Sequence, residues 1–389
     1  MSQPPRGLLG RIAAGAVSFT VLTYALAIGM ALGLVTFGQL ARQLVAIRVH
    51  FFTGAFFIYP IITPIPVDLL LLTDTCIVIY VACFIAAFRS REGFLSGLQR
   101  LRQMGRINWE SAWLVSMPLV SCGLLLIVLV ATIVLNQSGL PSGTLCNPCP
   151  PQAELYAALT YSPISEEIAF RITTLGVLVA VMTLWKRHSV EAIPSKPTRA
   201  SSSRFRRTLE WLRNWRTHLI ETGVRVRKAI PLVSLSILSP ESAKAKVGLP
   251  TITQRGWRGI HWSEWILLFL TSSLFGIAHV ISGGTDWGVG KAFTAAISGF
   301  ALGFVYLGYG AYAAVLLHWF FDFYFETFSV GADIFGGPVA TLPALVSLAT
   351  LVVGIISILV ALAWLVRRLT RDKIPTTYKI PESVPYSAQ

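Results

Sequence analysis

Ser165-Glu166-Glu167-Ile168-Ala169-Phe170-Arg171, Phe275-Gly276-Ile277-Ala278-His279 and His318-Trp319-Phe320-Phe321-Asp322 place Glu166, Glu167, Arg171, His279, His318 and Asp322 inside runs that are otherwise mostly apolar. A carboxylate and a neutral imidazole near one water can remove its proton. Further donors can hold the oxyanion that forms when that water attacks an amide carbonyl. These residue types therefore suit peptide hydrolysis without a covalent intermediate. On a helix, adjacent glutamates point about 100° apart, whereas residues four apart share a face. Glu167 is thus expected to pair with Arg171 as a fixed ion pair, leaving Glu166 to face a cavity as the base. In this assignment Glu166 and His279 activate the water, while His318 and Asp322 bind the oxyanion or a second face of the substrate. Each residue alone has a plainer role, such as a hydrogen-bonded core histidine or an interhelical clamp. Asp74, with no motif around it, is read as structural. Ionisable groups at membrane depth cost roughly 2.5–3.5 kcal/mol each on insertion scales, so one shared wet pocket accounts for the set better than separate burials do.

The elements that must position these residues are membrane helices. The chain has 389 residues, is 54% hydrophobic and 13% charged, and its mean hydropathy is +0.65, whereas soluble domains carry about 25% charged residues. Apolar runs long enough to cross a hydrocarbon core of about 30 Å lie near 13–37, 65–88, 111–135, 153–185, 264–282, 291–309, 311–330 and 342–366. The expected fold is an all-α polytopic membrane helix bundle of about eight transmembrane helices. The fourth run is too long for one perpendicular span. Pro163 is expected to start its membrane helix, leaving 153–161 as a short interfacial piece, because Pro is well tolerated in a first helical turn. Gly276 and Ala278 are expected to let the fifth span pack closely on a neighbour. The organisation read from these runs is an N-terminal three-span segment over 1–152, a catalytic core over 153–185 and 264–330, a basic insert over 186–263, and a last span with its tail over 331–389.

The net charge of +14 is distributed as in a membrane protein and implies no nucleic-acid partner. Segment 186–263 holds sixteen Lys and Arg against four Asp and Glu, 89–110 holds five Arg, and 136–152 holds no charge. Cytoplasmic loops are enriched in Lys and Arg, so both basic loops are expected inside, and an even span count puts both termini there too. Within the insert, Phe205, Leu209, Leu212, Leu219 and Val226 recur at near-helical spacing beside Trp211 and Trp215. That pattern suits a helix over 204–228 lying on an anionic lipid surface, and equally a solvated basic helix. Residues 51–62 are read as interfacial or re-entrant and the tail after Arg371 as disordered. Cys146 and Cys149, in a loop expected outside, are spaced for a local disulfide.

Taken together, the three motifs resemble those of the CPBP intramembrane proteases, which include CAAX prenyl endopeptidases of the Rce type and bacterial Abi proteins. Glu166-Glu167-x-x-x-Arg171 is similar to the family's Glu-Glu-x-x-x-Arg, Phe275-x-x-x-His279 to its Phe-x-x-x-His, and His318-x-x-x-Asp322 to its His-x-x-x-Asn/Asp. The resemblance implies an intramembrane endopeptidase with Glu166, His279, His318 and Asp322 around the catalytic water, and Glu167, Arg171 and Phe275 in support. It implies a membrane-embedded or lipidated peptide or protein substrate, CAAX-type processing among the options, and no cofactor. The same side chains are legitimate zinc or iron ligands, so a metal-dependent protease is the second reading. A proton-coupled transporter and a non-catalytic membrane scaffold are the readings from other classes. His-Glu-x-x-His, the rhomboid serine motif and Gly-x-Gly-Asp are absent from the chain. Counted along the helices, Glu166 and His279 lie at or beyond the midplane on the outer side, so depth does not point to one membrane face.

Overall fold

A computed structural model describes residues 6–51, 65–104, 110–145, 149–191, 230–282 and 287–371. The amphipathic stretch over 204–228, the run 52–64 and the tail after Arg371 lie outside the described residues. The chain is an all-α integral membrane protein. Its principal helices are α1 (Arg6–Thr36), α2 (Gln39–Ala46), α3 (Leu69–Arg89), α4 (Phe94–Met104), α5 (Trp113–Gln137), α6 (Gln152–Glu167), α7 (Val177–Glu191), α8 (Trp262–Ser282), α9 (Val289–Tyr309), α10 (Ala311–Asp322), α11 (Tyr324–Phe335) and α12 (Leu342–Arg371). One short antiparallel pair, Arg48–Phe51 with Ile65–Asp68, precedes α3.

Among the described residues, seven segments are long and apolar enough to cross a membrane. The eighth expected span is realised as α10 and α11, twelve residues each, joined at Phe323. Neither reaches the roughly 20 residues a span needs, and together they run from one end of the bundle to the other. At one end Arg91, just beyond α3, donates to the Gly308 carbonyl beside the start of α10. At the other, Gln152 Nε2 donates to Asp333 Oδ2 at 2.9 Å, joining the start of α6 to the end of α11. The broken backbone is buried, with Phe323 1% exposed and stacked on Tyr80. Irregular backbone at membrane depth is tolerated where protein surrounds it.

Two further contacts bring chain ends of the bundle together in space. The Gly288 amide donates to the Ser142 carbonyl at 3.2 Å, so the α8–α9 turn lies beside the α5–α6 loop. A Cβ placed on Gly10 would lie 2.5 Å from the Arg102 carbonyl oxygen, so the start of α1 lies beside α4. Residues 89–104, the start of α1 and the described end of the insert, where Tyr306 Oη donates to the Ile237 carbonyl, thus share a side opposite the described part of the uncharged loop after α5. In that loop Cys149 is disulfide-bonded, while Cys146 lies outside the described residues.

The bundle is organised around α10, whose residues Ala313–Phe320 are all buried against α3, α5, α6 and α9. Tyr24, Tyr80, Tyr156, Trp319 and Tyr324 fill the space about it, each no more than 1% exposed. Large apolar side chains such as Phe19, Leu22, Val78, Phe269 and Leu348 point outward, as expected where the solvent is lipid.

Pro163 does not start the membrane helix. It lies inside α6, which runs unbroken from Gln152 to Glu167 within one 35-residue apolar segment. Pro removes one helical hydrogen bond and strains the turn before it. In that turn the Thr160 carbonyl accepts a hydrogen bond from Tyr80 Oη at 2.6 Å, a tertiary contact that supports the interrupted helix. The described end of the insert packs on the core: Leu232, Ser236 and Ala243 are buried, and Tyr306 Oη donates to the Ile237 carbonyl.

Candidate active site

Three helices bring the expected residues together. Glu166 and Glu167 end α6, His279 lies near the end of α8, and His318 and Asp322 lie one turn apart on α10. Immediately after Glu167 the helix widens into a π-helical segment, Ile168–Gly176. Wide turns of this kind are rare and concentrate at functional sites. Thr174 Oγ1 donates to the Ala169 carbonyl, five residues back, at 2.6 Å, and Thr173 Oγ1 donates to the Ile168 carbonyl at 2.8 Å.

The two glutamates divide as the spacing predicts. Glu167 is 1% exposed, with Oε1 3.2 Å from Arg171 Nη1, and Arg171 is 2% exposed. Arg171 Nη2 donates to the Gly299 carbonyl at 3.2 Å, and its guanidinium lies 4.2 Å from the centre of the Phe275 ring. The spacing gave no indication of a second contact on Glu167: His318 Nδ1–H donates to the same Oε1 at 2.8 Å. Glu167 therefore joins the ion pair to the orientation of His318.

Glu166 is the more open of the two, its side chain 27% exposed. Ser162 Oγ donates to its Oε1 at 2.6 Å. Its Oε2 lies 3.6 Å from His318 Nε2 and 3.8 Å from His279 Nε2, and Asp322 Oδ2 lies 3.4 Å from His318 Nε2. The His279 tautomer follows from its partner: a carbonyl only accepts, so Nδ1 carries the hydrogen that is donated to Phe275 O at 2.8 Å. Both rings thus use Nδ1 for support and turn Nε2 toward Glu166. With neutral rings, all four converging atoms are acceptors. Their separations are too long for direct hydrogen bonds and suit a group between them that carries hydrogens or positive charge. One ligand atom each from Glu166, His318 and Asp322 also fall within 4.8 Å of one another, a spacing that could hold a metal ion.

Four contributors escape a reading of the sequence motifs. Ser162 had a usable signal, since it precedes Glu166 by four residues. Gly299 acts through its carbonyl, which every residue possesses. Trp287 stacks on His279 at 5.1 Å with planes 20° apart, and Lys291 Nζ lies 4.4 Å from the centre of the Trp287 ring; neither belongs to a motif. Phe275 lies edge-on to Phe170 and 4.6 Å from the His279 ring centre.

Residues 151–324 match the family model described as Type II CAAX prenyl endopeptidase Rce1-like. The matched span contains all three motifs and every residue of the cluster. No curated protein and no solved structure is significantly similar to the chain.

Proposed function

We propose that this chain, which belongs to the CPBP/CAAX protease family through residues 151–324, hydrolyses a peptide bond with a water activated by Glu166 and His279. The observation that carries this reading is the convergence of His279 Nε2 and His318 Nε2 on Glu166 Oε2, at 3.8 and 3.6 Å. A water between these atoms donates one hydrogen to Glu166 and the other to His279. Glu166 takes the first as the oxygen attacks the carbonyl carbon. His318, held at Nδ1 by Glu167 and facing Asp322, is placed to act as an imidazolium whose Nε2–H donates to the oxyanion. The proton on Glu166 then passes to the leaving nitrogen as the C–N bond breaks, giving an amine and a carboxylic acid whose remaining proton passes to His279 Nε2 as it ionises to the carboxylate. Phe275 and Arg171 support the constellation without touching the reacting atoms.

The substrate class supported by the family match is the lipidated C-terminal segment of a membrane-bound protein. The test is cleavage of a farnesylated CAAX-type reporter peptide by full-length protein in proteoliposomes. Glu166→Gln keeps an acceptor for Ser162 and removes the base, so the rate is expected to fall about a hundredfold to ten-thousandfold with the melting curve unchanged. Cleavage undiminished in that variant overturns the reading; wild type that moves ions and cuts nothing overturns it in favour of a transporter.

A metal-dependent reading rests on the spacing of Glu166, His318 and Asp322. Inactivation by a chelator and recovery with one divalent ion would favour it over the metal-free mechanism.

A further inference from the structure

Away from the catalytic cluster, the insert-side ends of α7 and α8 flank a small open cleft of about 70 Å³. Glu264 lies fifteen positions before His279 in α8, which at about 1.5 Å per residue sets the two sites roughly 22 Å apart. Lys186, Lys244, Arg258, His261 and Glu264 line the cleft, with Met182 and Leu249 forming an apolar wall.

The single acid is already engaged. Glu264 Oε2 accepts from Lys244 Nζ at 2.8 Å and from the His261 amide at 2.7 Å, and Lys244 also donates to the Gly259 carbonyl at 2.6 Å. Lys244 and Glu264 are each less than 10% exposed. They form a closed floor, and among the described residues neither Lys186 nor Arg258 at the rim makes an ion pair. His261 responds to this field: its pKa is held below the ordinary histidine value, by desolvation first and by the Lys186 ammonium next. The surroundings set the depth. Trp185, Trp257 and Trp262 are 75%, 47% and 67% exposed, and exposed tryptophans at helix ends mark the headgroup level of a bilayer. Arginine and lysine beside an apolar wall at that depth match a phosphate carried on a hydrocarbon body.

We infer that this cleft binds a phosphate group, with Lys186 and Arg258 as its ligands, and that an anionic phospholipid headgroup supplies it.

The test uses full-length protein in neutral detergent, titrated by native mass spectrometry with phosphatidylglycerol, with phosphatidylcholine and with orthophosphate. Phosphatidylglycerol is expected to bind in preference to phosphatidylcholine, and Lys186→Gln with Arg258→Gln to weaken it roughly tenfold or more. Lys246→Gln with Arg255→Gln removes the same charge from exposed positions outside the cleft and should leave binding unchanged. Orthophosphate binding that needs Lys186 and Arg258, without a lipid preference, supports the phosphate site and assigns it a soluble source. The inference is overturned if neither phosphate source depends on Lys186 and Arg258, or if the charge-matched control weakens binding equally. Peptide cleavage is not the readout, so this outcome and that of the proposed protease reaction are independent.

Discussion

Glu166 and Glu167 are chemically identical neighbours with opposite environments, and the difference makes separate predictions for each. Glu167 is buried beneath both the Arg171 guanidinium and His318 Nδ1. Removing it leaves a buried cation without a counter-charge, which costs about 3–5 kcal/mol. Glu167→Leu is therefore expected to melt well below wild type in detergent. Adding Arg171→Met removes the stranded charge and is expected to restore much of that loss, because a buried ion pair replaced by apolar groups is often close to neutral. Cleavage should stay low in the double variant, since His318 has lost the acceptor that orients it. A Glu167→Leu protein that melts and cleaves like wild type would remove Glu167 from the structural role. The division between the glutamates was legible in the i, i+4 spacing of Glu167 and Arg171. The His318 bond was not, because it joins residues 151 positions apart and depends on how α10 docks on α6.

At the scale of elements, the site depends on how closely α8 approaches α9. Gly276 and Gly299 set that distance from the two sides. A Cβ on Gly276 would lie 2.3 Å from the Ala292 carbonyl oxygen, and one on Gly299 would lie 2.9 Å from Phe275 Cδ1. Backbone cannot yield as a side chain can, so Gly276→Ala should force the helices apart and destabilise the protein by about 1–3 kcal/mol or more. Gly299→Ala should displace the Phe275 ring, which packs on Arg171 and His279, and lower cleavage more than stability. Gly15 and Gly29 have nothing within 4 Å of an added Cβ and serve as controls. Melting curves and reporter cleavage across the four variants check this, and a fully active Gly299→Ala protein would contradict it. The value of Gly276 for close packing was readable from its place in an apolar run. The π segment after Glu167, the break at Phe323 and the passage of Pro163 through α6 were not. Each deviates from regular hydrogen bonding where contacts distant in sequence decide the outcome, as the Tyr80 bond to Thr160 does beside Pro163.

Across the whole molecule, two independent physical arguments orient the chain. Lys and Arg gather in 89–110 and in the insert, and such loops stay in the cytoplasm. The disulfide at Cys149 lies in the uncharged loop on the opposite side, and disulfides persist in oxidising compartments. The two agree, and because the start of α1 packs beside α4 on the basic side, we propose a cytoplasmic N-terminus. On this proposal an eighth crossing by α10 and α11 would return the end of α12 to the same side. Cysteine introduced at Arg258, on the insert side, should resist a membrane-impermeant maleimide in intact cells and react after permeabilisation. Cysteine at Ser138, in the α5–α6 loop, should react in both. The crossing itself is tested by Asp333→Cys, at the end of α11 beside Gln152, compared with cysteine at Arg371, where α12 ends. Labelling of the first in intact cells and of the second only after permeabilisation fits two short helices traversing the bilayer together. The reverse pattern, with Asp333→Cys protected and cysteine at Arg371 labelled in intact cells, would mean that α10 and α11 turn back within the membrane, which would leave seven crossings and the termini on opposite sides.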